Sequence, residues 1–241
     1  MAIVGFDLDD TIYNRDLVYS NVYQVMQEKY LNIPVCFSDF NKVYQRESIL
    51  EYEKFCKGEK EKIDYKLDRV VNTYNFFNYE VSKAIAEKFN KLYEEKRNNI
   101  VIRPGMLKLL NYLKANHVQM FVLTNGPIED QKKKFYNLGL QQYIADENLF
   151  ISDALGCSKP EPEIFKIVEK SLNEDASNLI YIGDNYHKDF LPAKKLGWKA
   201  IYYNYMEQEN EAETDCFISD NEIYEYVKEL FKLRIFPFPF L

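Results

Sequence analysis

The chain has 241 residues, 46% of them hydrophobic, which is enough to bury a large core without a disulfide or metal to staple it. Its 31 basic and 38 acidic residues leave a net charge of −7, and this excludes a general binder of nucleic-acid polymers, whose phosphate backbones demand clustered Lys and Arg. Cys36, Cys56, Cys157 and Cys216 stand far apart with no C-x-x-C pair, so reduced cytoplasmic thiols are expected, not a zinc site or a disulfide framework.

Taken in chain order, Ala2–Leu8 is a short apolar run that reads as a first, buried strand. It begins at once, with no charged n-region or cleavage site, so no secretory leader is expected. From Arg15 to Arg97 there are only helical patterns and loops. Phe40, Val43, Tyr44 and Leu50 make a weaker apolar face, and Val81, Ala84, Ile85, Phe89, Leu92 and Tyr93 a stronger one. A helix carrying Met106, Leu109, Leu110 and Leu113 follows. Strands are then predicted at Val118–Leu123, Leu149–Ser152, Leu179–Ile182 and Lys199–Tyr203, with an edge strand at Cys216–Ser219. Between and after them come helices with Ile164, Ile167 and Val168, and with Ile223, Tyr226, Val227, Leu230 and Phe231, on one stripe. The closing Ile235–Leu241 is apolar but interrupted by two prolines, and it is far shorter than the roughly 20 residues of a membrane span. It is expected to pack into a surface groove or to make a self-association contact.

Strand alternating with helix predicts an α/β fold with a doubly wound, mainly parallel sheet. A simple crossover needs far fewer residues than the helical stretch after the first strand. Residues 15–97 are therefore expected to form an inserted helical subdomain, and residues 1–14 and 98–241 the α/β core.

Ligands of such sheets bind beyond the carboxyl ends of the strands. The first strand leads into Asp7-Leu8-Asp9-Asp10-Thr11, the second into Thr124-Asn125-Gly126 and the fourth into Gly183-Asp184-Asn185, with Asp189 five residues past Asp184. Beyond the third lies Ser158-Lys159-Pro160. Carboxylates converging on one point repel unless a cation is present, and Asp7 and Asp184 offer the hard oxygens that suit Mg²⁺. A phosphate there would meet the Thr124 hydroxyl, donors of Asn125 and Gly126, and the Lys159 ammonium. Each motif alone is an ordinary cap or turn. The four in this order, each past a strand, point to one site.

Those segments resemble the haloacid dehalogenase superfamily of aspartate-nucleophile hydrolases. Phe6–Thr11 is similar to its first motif, Leu123–Gly126 to its second, Lys159–Phe165 to its third and Ile182–Asp189 to its fourth. The insertion directly after the first motif resembles the family's helical C1 cap, and the motif spelling is similar to the phosphoglycolate-phosphatase-like and pyrimidine-5′-nucleotidase-like branches. The resemblance implies a Rossmann-like catalytic core and a Mg²⁺-dependent phosphatase. Asp7 would be the nucleophile and metal ligand, and Asp9 the acid/base whose backbone carbonyl also binds the metal. Lys159 would neutralise charge, Thr124, Asn125 and Gly126 would hold phosphate, and Asp184 would bind the metal. Asp189 would orient Lys159 or a metal-bound water, with Asn185 close behind. Dehalogenases of the superfamily lack an aspartate at the position of Asp9, so its presence favours phosphate chemistry.

The expected substrate is a small phosphorylated metabolite: a nucleoside monophosphate, a sugar phosphate or a phosphoglycolate-like acid. A slight preference goes to nucleoside monophosphates, since aromatics can stack a base, although the 20 Tyr and 17 Phe are scattered at core spacings and read as packing. A phosphomutase, or a non-catalytic phospholigand-binding regulator, is the alternative. Arg15, Tyr19, Arg46 and Tyr52 are candidate substrate readers, while Tyr13 and Asn14 are expected at the hinge. Lys132-Lys133-Lys134 is expected to be a solvated helix face, His117 a surface residue, and His187 and Cys157 to have no chemical role. No membrane is expected as a partner, and the oligomer is a monomer or a homodimer.

Overall fold

The computed structural model describes residues 2–207 and 214–233. Six short strands carry the sheet: β1 (Ile3–Phe6), β2 (Met120–Thr124), β3 (Leu149–Ile151), β4 (Leu179–Gly183), β5 (Lys199–Tyr203) and β6 (Cys216–Phe217). Their order is β3-β2-β1-β4-β5-β6, and every pairing is parallel. The residues of β1, β2 and β4 are buried throughout, as befits strands covered on both faces. β1 is shorter than the apolar run that predicts it, because the backbone leaves the sheet after Asp7, which makes the last ladder bond. The edge strand is likewise cut to Cys216–Phe217.

The chain divides into two compact units, Arg15–Asn99 and the segments on either side of it. Arg15–Asn99 holds α1 (Arg15–Lys29), α2 (Phe37–Cys56), α3 (Lys62–Phe76) and α4 (Lys83–Arg97). Its core is aromatic. Tyr19 stacks on Tyr93 with ring centroids 5.0 Å apart, Tyr44 and Phe89 sit at 5.2 Å, and the edge of Tyr74 meets Phe40 at 5.2 Å. The buried face of α2 departs from the expected one. Leu50 is 45% exposed, and Glu51, seven residues after Tyr44, takes the inward position instead. Glu51 stays there because Lys54, Lys60 and Asn72 all donate to its carboxylate.

In the other unit the sheet is covered by α5 (Pro104–Ala115), α6 (Ile128–Asn137), α7 (Ser152–Leu155), α8 (Pro162–Leu172), α9 (Leu191–Lys195) and α10 (Asp220–Lys232). Met106, Leu109, Leu110 and Leu113 of α5 are all buried, and α10 packs on that helix through a stripe of Ile223, Val227, Leu230 and Phe231. Ser219 and Glu222 close a capping box at the start of α10. On α8 the inward residues are Ile164, Phe165 and Val168, which join Phe121, Tyr181 and Trp198 in one cluster. Among the described residues no helix is long and apolar enough to cross a membrane. The segment Ile235–Leu241, expected in a groove or at a self-contact, lies outside the described residues.

Candidate active site

Strand order reverses direction at β1, whose two neighbours are β2 and β4, and the carboxyl ends of β1 and β4 carry the acidic residues. Asp7 follows β1 directly, and its N–H continues the ladder by donating to Ile182 O at 2.8 Å. Asp184 follows β4 directly. The Thr11 hydroxyl stands 3.4 Å from Asp7 Oδ2 and 3.4 Å from Asp184 Oδ1, so one oxygen of each carboxylate faces a common point. Carboxylate oxygens of Asp7, Asp184 and Asp189 all lie within 4.8 Å of one another.

Lys159 enters this cluster from the loop before α8, after which the Lys159–Pro160 peptide is cis. Its ammonium, 3% exposed, donates to Asp7 Oδ1 at 2.6 Å, Asp189 Oδ1 at 2.5 Å, Tyr181 Oη at 2.9 Å and Leu123 O at 3.1 Å. Burial pulls the Lys159 pKa down, but Asp189 and Asp7 outweigh it and hold the group well above the usual lysine range. Burial, reinforced by Asp189 and Asp9, pushes the Asp7 carboxyl up to about 7 against the opposing attraction of Lys159. Asp189 is held from a second side, where the Asn185 N–H donates to Oδ2 at 3.1 Å. Gly183 makes that approach possible, since a side chain there would collide with Asp189.

The loops after β2 and β3 are tied together. Asn125 Nδ2 donates to Lys159 O at 2.9 Å while the Lys159 N–H donates to Asn125 Oδ1 at 3.0 Å. The Asn125 side chain is thereby committed to aiming the lysine loop. The Gly126 N–H donates to Ser152 Oγ at 3.0 Å, which joins the loop after β2 to α7. Thr124, 1% exposed, makes no side-chain hydrogen bond to another described residue. Asn185 caps the turn that follows it, accepting from the His187 and Lys188 N–H groups at 3.1 and 2.9 Å. His117 is exposed, as expected, and so is His187.

Asp9 sits apart from this cluster of contacts, held by α6. Lys134 Nζ lies 2.7 Å from both of its carboxylate oxygens, Gln131 Nε2 donates to Oδ2 at 3.2 Å, and the Tyr13 hydroxyl donates to Oδ1. This corrects the expectation for the lysine run. Lys132 and Lys133 are exposed, but Lys134, 6% exposed, turns inward because Asp9 neutralises it. Gln131, Lys134 and Tyr181 reach the site from outside its motifs. Gln131 and Lys134 are three apart on a helix that starts just after the second motif, and that spacing was the available signal.

A divalent cation suits this donor set. Asp7 and Asp184 each turn a hard oxygen to the same spot, and a buried carboxyl raised to about 7 is kept ionised by a neighbouring positive charge. Asp189, the third carboxylate of the cluster, is also engaged by Lys159, Tyr181 and the Asn185 N–H.

A parallel sheet with its carboxylates gathered past β1 and β4 defines the class, a Rossmann-like α/β fold with an acidic site at the strand ends. The chain belongs to the haloacid dehalogenase-like hydrolase family, which it matches over residues 1–197. It is similar to the glyceraldehyde 3-phosphate phosphatase of Pyrococcus abyssi, with 29% identity over 85% of this chain and 82% of that one. The glyceraldehyde 3-phosphate phosphatase of Methanocaldococcus jannaschii is 27% identical over 94% of this chain and 97% of its own length. Among solved structures, a magnesium-bound HAD-hydrolase of Bacillus subtilis covers 94% of this chain and 98% of its own, with a TM-score of 0.69 and 22% identity, which shows the shared fold.

Proposed function

We propose that this protein is a Mg²⁺-dependent phosphatase of a short phosphorylated metabolite, with glyceraldehyde 3-phosphate the first substrate to test. The observation that carries this reading is the Asp7–Lys159–Asp189 chain of contacts at the end of β1, with a second carboxylate, Asp9, two residues beyond the first. Similarity to two glyceraldehyde 3-phosphate phosphatases along most of the chain supports the substrate class. In Arg15–Asn99, Tyr19, Phe40, Tyr44, Tyr74, Phe89 and Tyr93 are consumed in mutual packing, which takes these six rings from the supply that could stack a nucleobase, while Tyr30, Tyr52 and Phe76 stay exposed.

In this mechanism a carboxylate oxygen of Asp7 attacks phosphorus while the bond to the leaving oxygen breaks and its electron pair stays on that oxygen. Asp9 donates a proton to the leaving oxygen and becomes a carboxylate. A water then attacks the phosphorus of the aspartyl phosphate, Asp9 takes its proton, and the Asp7 carboxylate leaves as inorganic phosphate is released. Lys159 keeps charge from accumulating on Asp7 and on the transferring group, and the Thr124 hydroxyl with the Asn125 N–H holds its oxygens. Asp7, Asp184 and the Asp9 carbonyl would hold Mg²⁺, which would supply positive charge favouring ionised Asp7 and offsetting the phosphate. Residues 15–97 serve as the cap that reads the substrate. None of the four cysteines is in a disulfide among the described residues, which is consistent with work in the reducing cytoplasm.

A phosphate-release screen with Mg²⁺ tests the reading across glyceraldehyde 3-phosphate, phosphoglycolate, nucleoside monophosphates and hexose phosphates. A preference for the two- or three-carbon phosphates is expected. Preference for a nucleotide would overturn the substrate, and no release from any of them would overturn the activity.

A further inference from the structure

The carboxylate of Asp9 is gripped by side chains that lie outside all four motifs, and from their geometry we infer that Lys134, aided by Gln131, is the positioning residue for Asp9. The inference rests on the phosphatase reading for its chemical meaning, and on contacts within one compact unit for its geometry. An ionised carboxylate offers about four lone-pair sites. Here Oδ1 accepts from Lys134 and Tyr13, and Oδ2 accepts from Lys134 and Gln131. Both oxygens are therefore bound, and the two equal distances of 2.7 Å from Lys134 fix the plane of the group as well as its place.

The grip is itself anchored. Gln131 Nε2 also donates to Asn125 O at 2.9 Å, and Lys134 Nζ lies 3.3 Å from Gln131 Oε1. One face of α6 thus links the acid/base position to the loop after β2, whose Asn125 side chain aims Lys159. Asp9 is the carboxylate with which Lys134 pairs among the described residues, and Lys134 is 6% exposed, so the ammonium has been desolvated for this one partner. A lysine present only for solubility would stay in water, as Lys132 and Lys133 do. Without Lys134 the Asp9 carboxylate keeps the Gln131 and Tyr13 contacts but loses the charge that pairs with both of its oxygens and fixes its plane.

The two half-reactions separate this role from general structural support. Nitrophenolate leaves without needing a proton, whereas the alkoxide of glyceraldehyde 3-phosphate needs one, and the single aspartyl phosphate that both substrates form needs Asp9 to activate water. In the full-length protein with Mg²⁺, Lys134→Met should lower kcat for glyceraldehyde 3-phosphate by about a hundredfold, with KM nearly unchanged. With p-nitrophenyl phosphate the same variant should give a burst of nitrophenolate close to one per enzyme, followed by slow turnover. Unchanged kcat on both compounds would overturn the inference, as would equal losses on both without a burst.

A second measurement is independent of activity. Thermal melts of Asp9→Asn, Lys134→Met and the double variant should show each single change lowering the melting temperature and the double change adding little to the worse single one. Additive losses would overturn the grip. Should the unmodified protein release no phosphate from any compound, the phosphatase reading fails and the melts still decide whether Lys134 holds Asp9.

Discussion

Asp189 Oδ1 accepts from Lys159 Nζ at 2.5 Å, so the ammonium that touches Asp7 is itself fixed by a carboxylate from beyond β4. Tyr181, inside β4, supplies a further contact at 2.9 Å, and its own hydroxyl donates to Leu123 O at 2.9 Å. The lysine is held by three strand ends and has little freedom left to lose when a phosphoryl group arrives, which is how pre-organised charge accelerates a reaction.

Removing that charge has two consequences. Lys159→Met should lower kcat by a factor on the order of 10²–10³, the usual loss for one pre-organised electrostatic partner. It also leaves Asp7 and Asp189 buried and facing each other, and breaking a buried pair costs about 3–5 kcal/mol. A denaturant melt should therefore show a destabilised fold, and Asp189→Asn should restore part of the stability of the Lys159→Met protein without restoring kcat. Wild-type stability in Lys159→Met would show that the ammonium is not structurally coupled to the two carboxylates.

Asp7→Asn should behave in the opposite sense, losing turnover while keeping the fold. The Asp7 carboxyl is raised to about 7 from an ordinary 3.8, so the folded metal-free protein binds this proton more tightly than the unfolded chain does. Stability from this group is present at acid pH and is lost as pH rises through about 7. In EDTA, wild type should melt lower at pH 8 than at pH 6, and Asp7→Asn should flatten the difference. A wild-type melt that improves steadily from pH 6 to pH 8 would contradict the assignment of burial as the dominant influence.

Much of this site was legible because each motif follows a brief apolar run. Asp7, Thr124 and Asp184 could be placed at strand ends from β-branched and aromatic residues alone, and Lys159 from the prolines around it. Lys134 was hidden by its neighbours: in a run of three lysines on a helix, only the rotation of α6 decides which one faces inward, and that is set by packing of Phe135 and Leu138. Tyr181 was concealed for a different reason, since a tyrosine within Leu179–Ile182 reads as one more core residue until its hydroxyl is seen to reach Lys159. Glu51 shows the same limit in the helical unit, where three donors from different turns bring a carboxylate into an apolar face.

Magnesium should raise the melting temperature, because the folded chain brings Asp7 and Asp184 together and the unfolded chain does not. At a concentration about 100 times its dissociation constant the ion would add about 2.7 kcal/mol. Asp184→Ala should remove most of that gain while Asn185→Ala, which alters a turn cap, should keep it. A melt indifferent to saturating Mg²⁺ would count against the proposed cation position.

The helical unit carries a pH dependence of its own at Glu51. Burial works to raise the Glu51 pKa, but hydrogen bonds from Lys54 and Lys60 prevail and hold it below the ordinary value of 4.5. Lys60 is pulled down by burial and lifted above its usual range by Asp68 and Glu51, so the two ends of the contact agree in sign. A depressed carboxyl contributes stability that is fully present above about 4.5 and is lost as pH falls through the folded value. Glu51→Gln keeps the shape but removes the charge that Lys54 and Lys60 share, leaving both donors with a weaker acceptor. Loss of such charge-assisted bonds costs about 1.5–3 kcal/mol at neutral pH. Denaturant melts of wild type and Glu51→Gln should therefore differ most near pH 7 and converge toward pH 3. A gap that stays constant across that range would mean that Glu51 acts by packing and not by its charge.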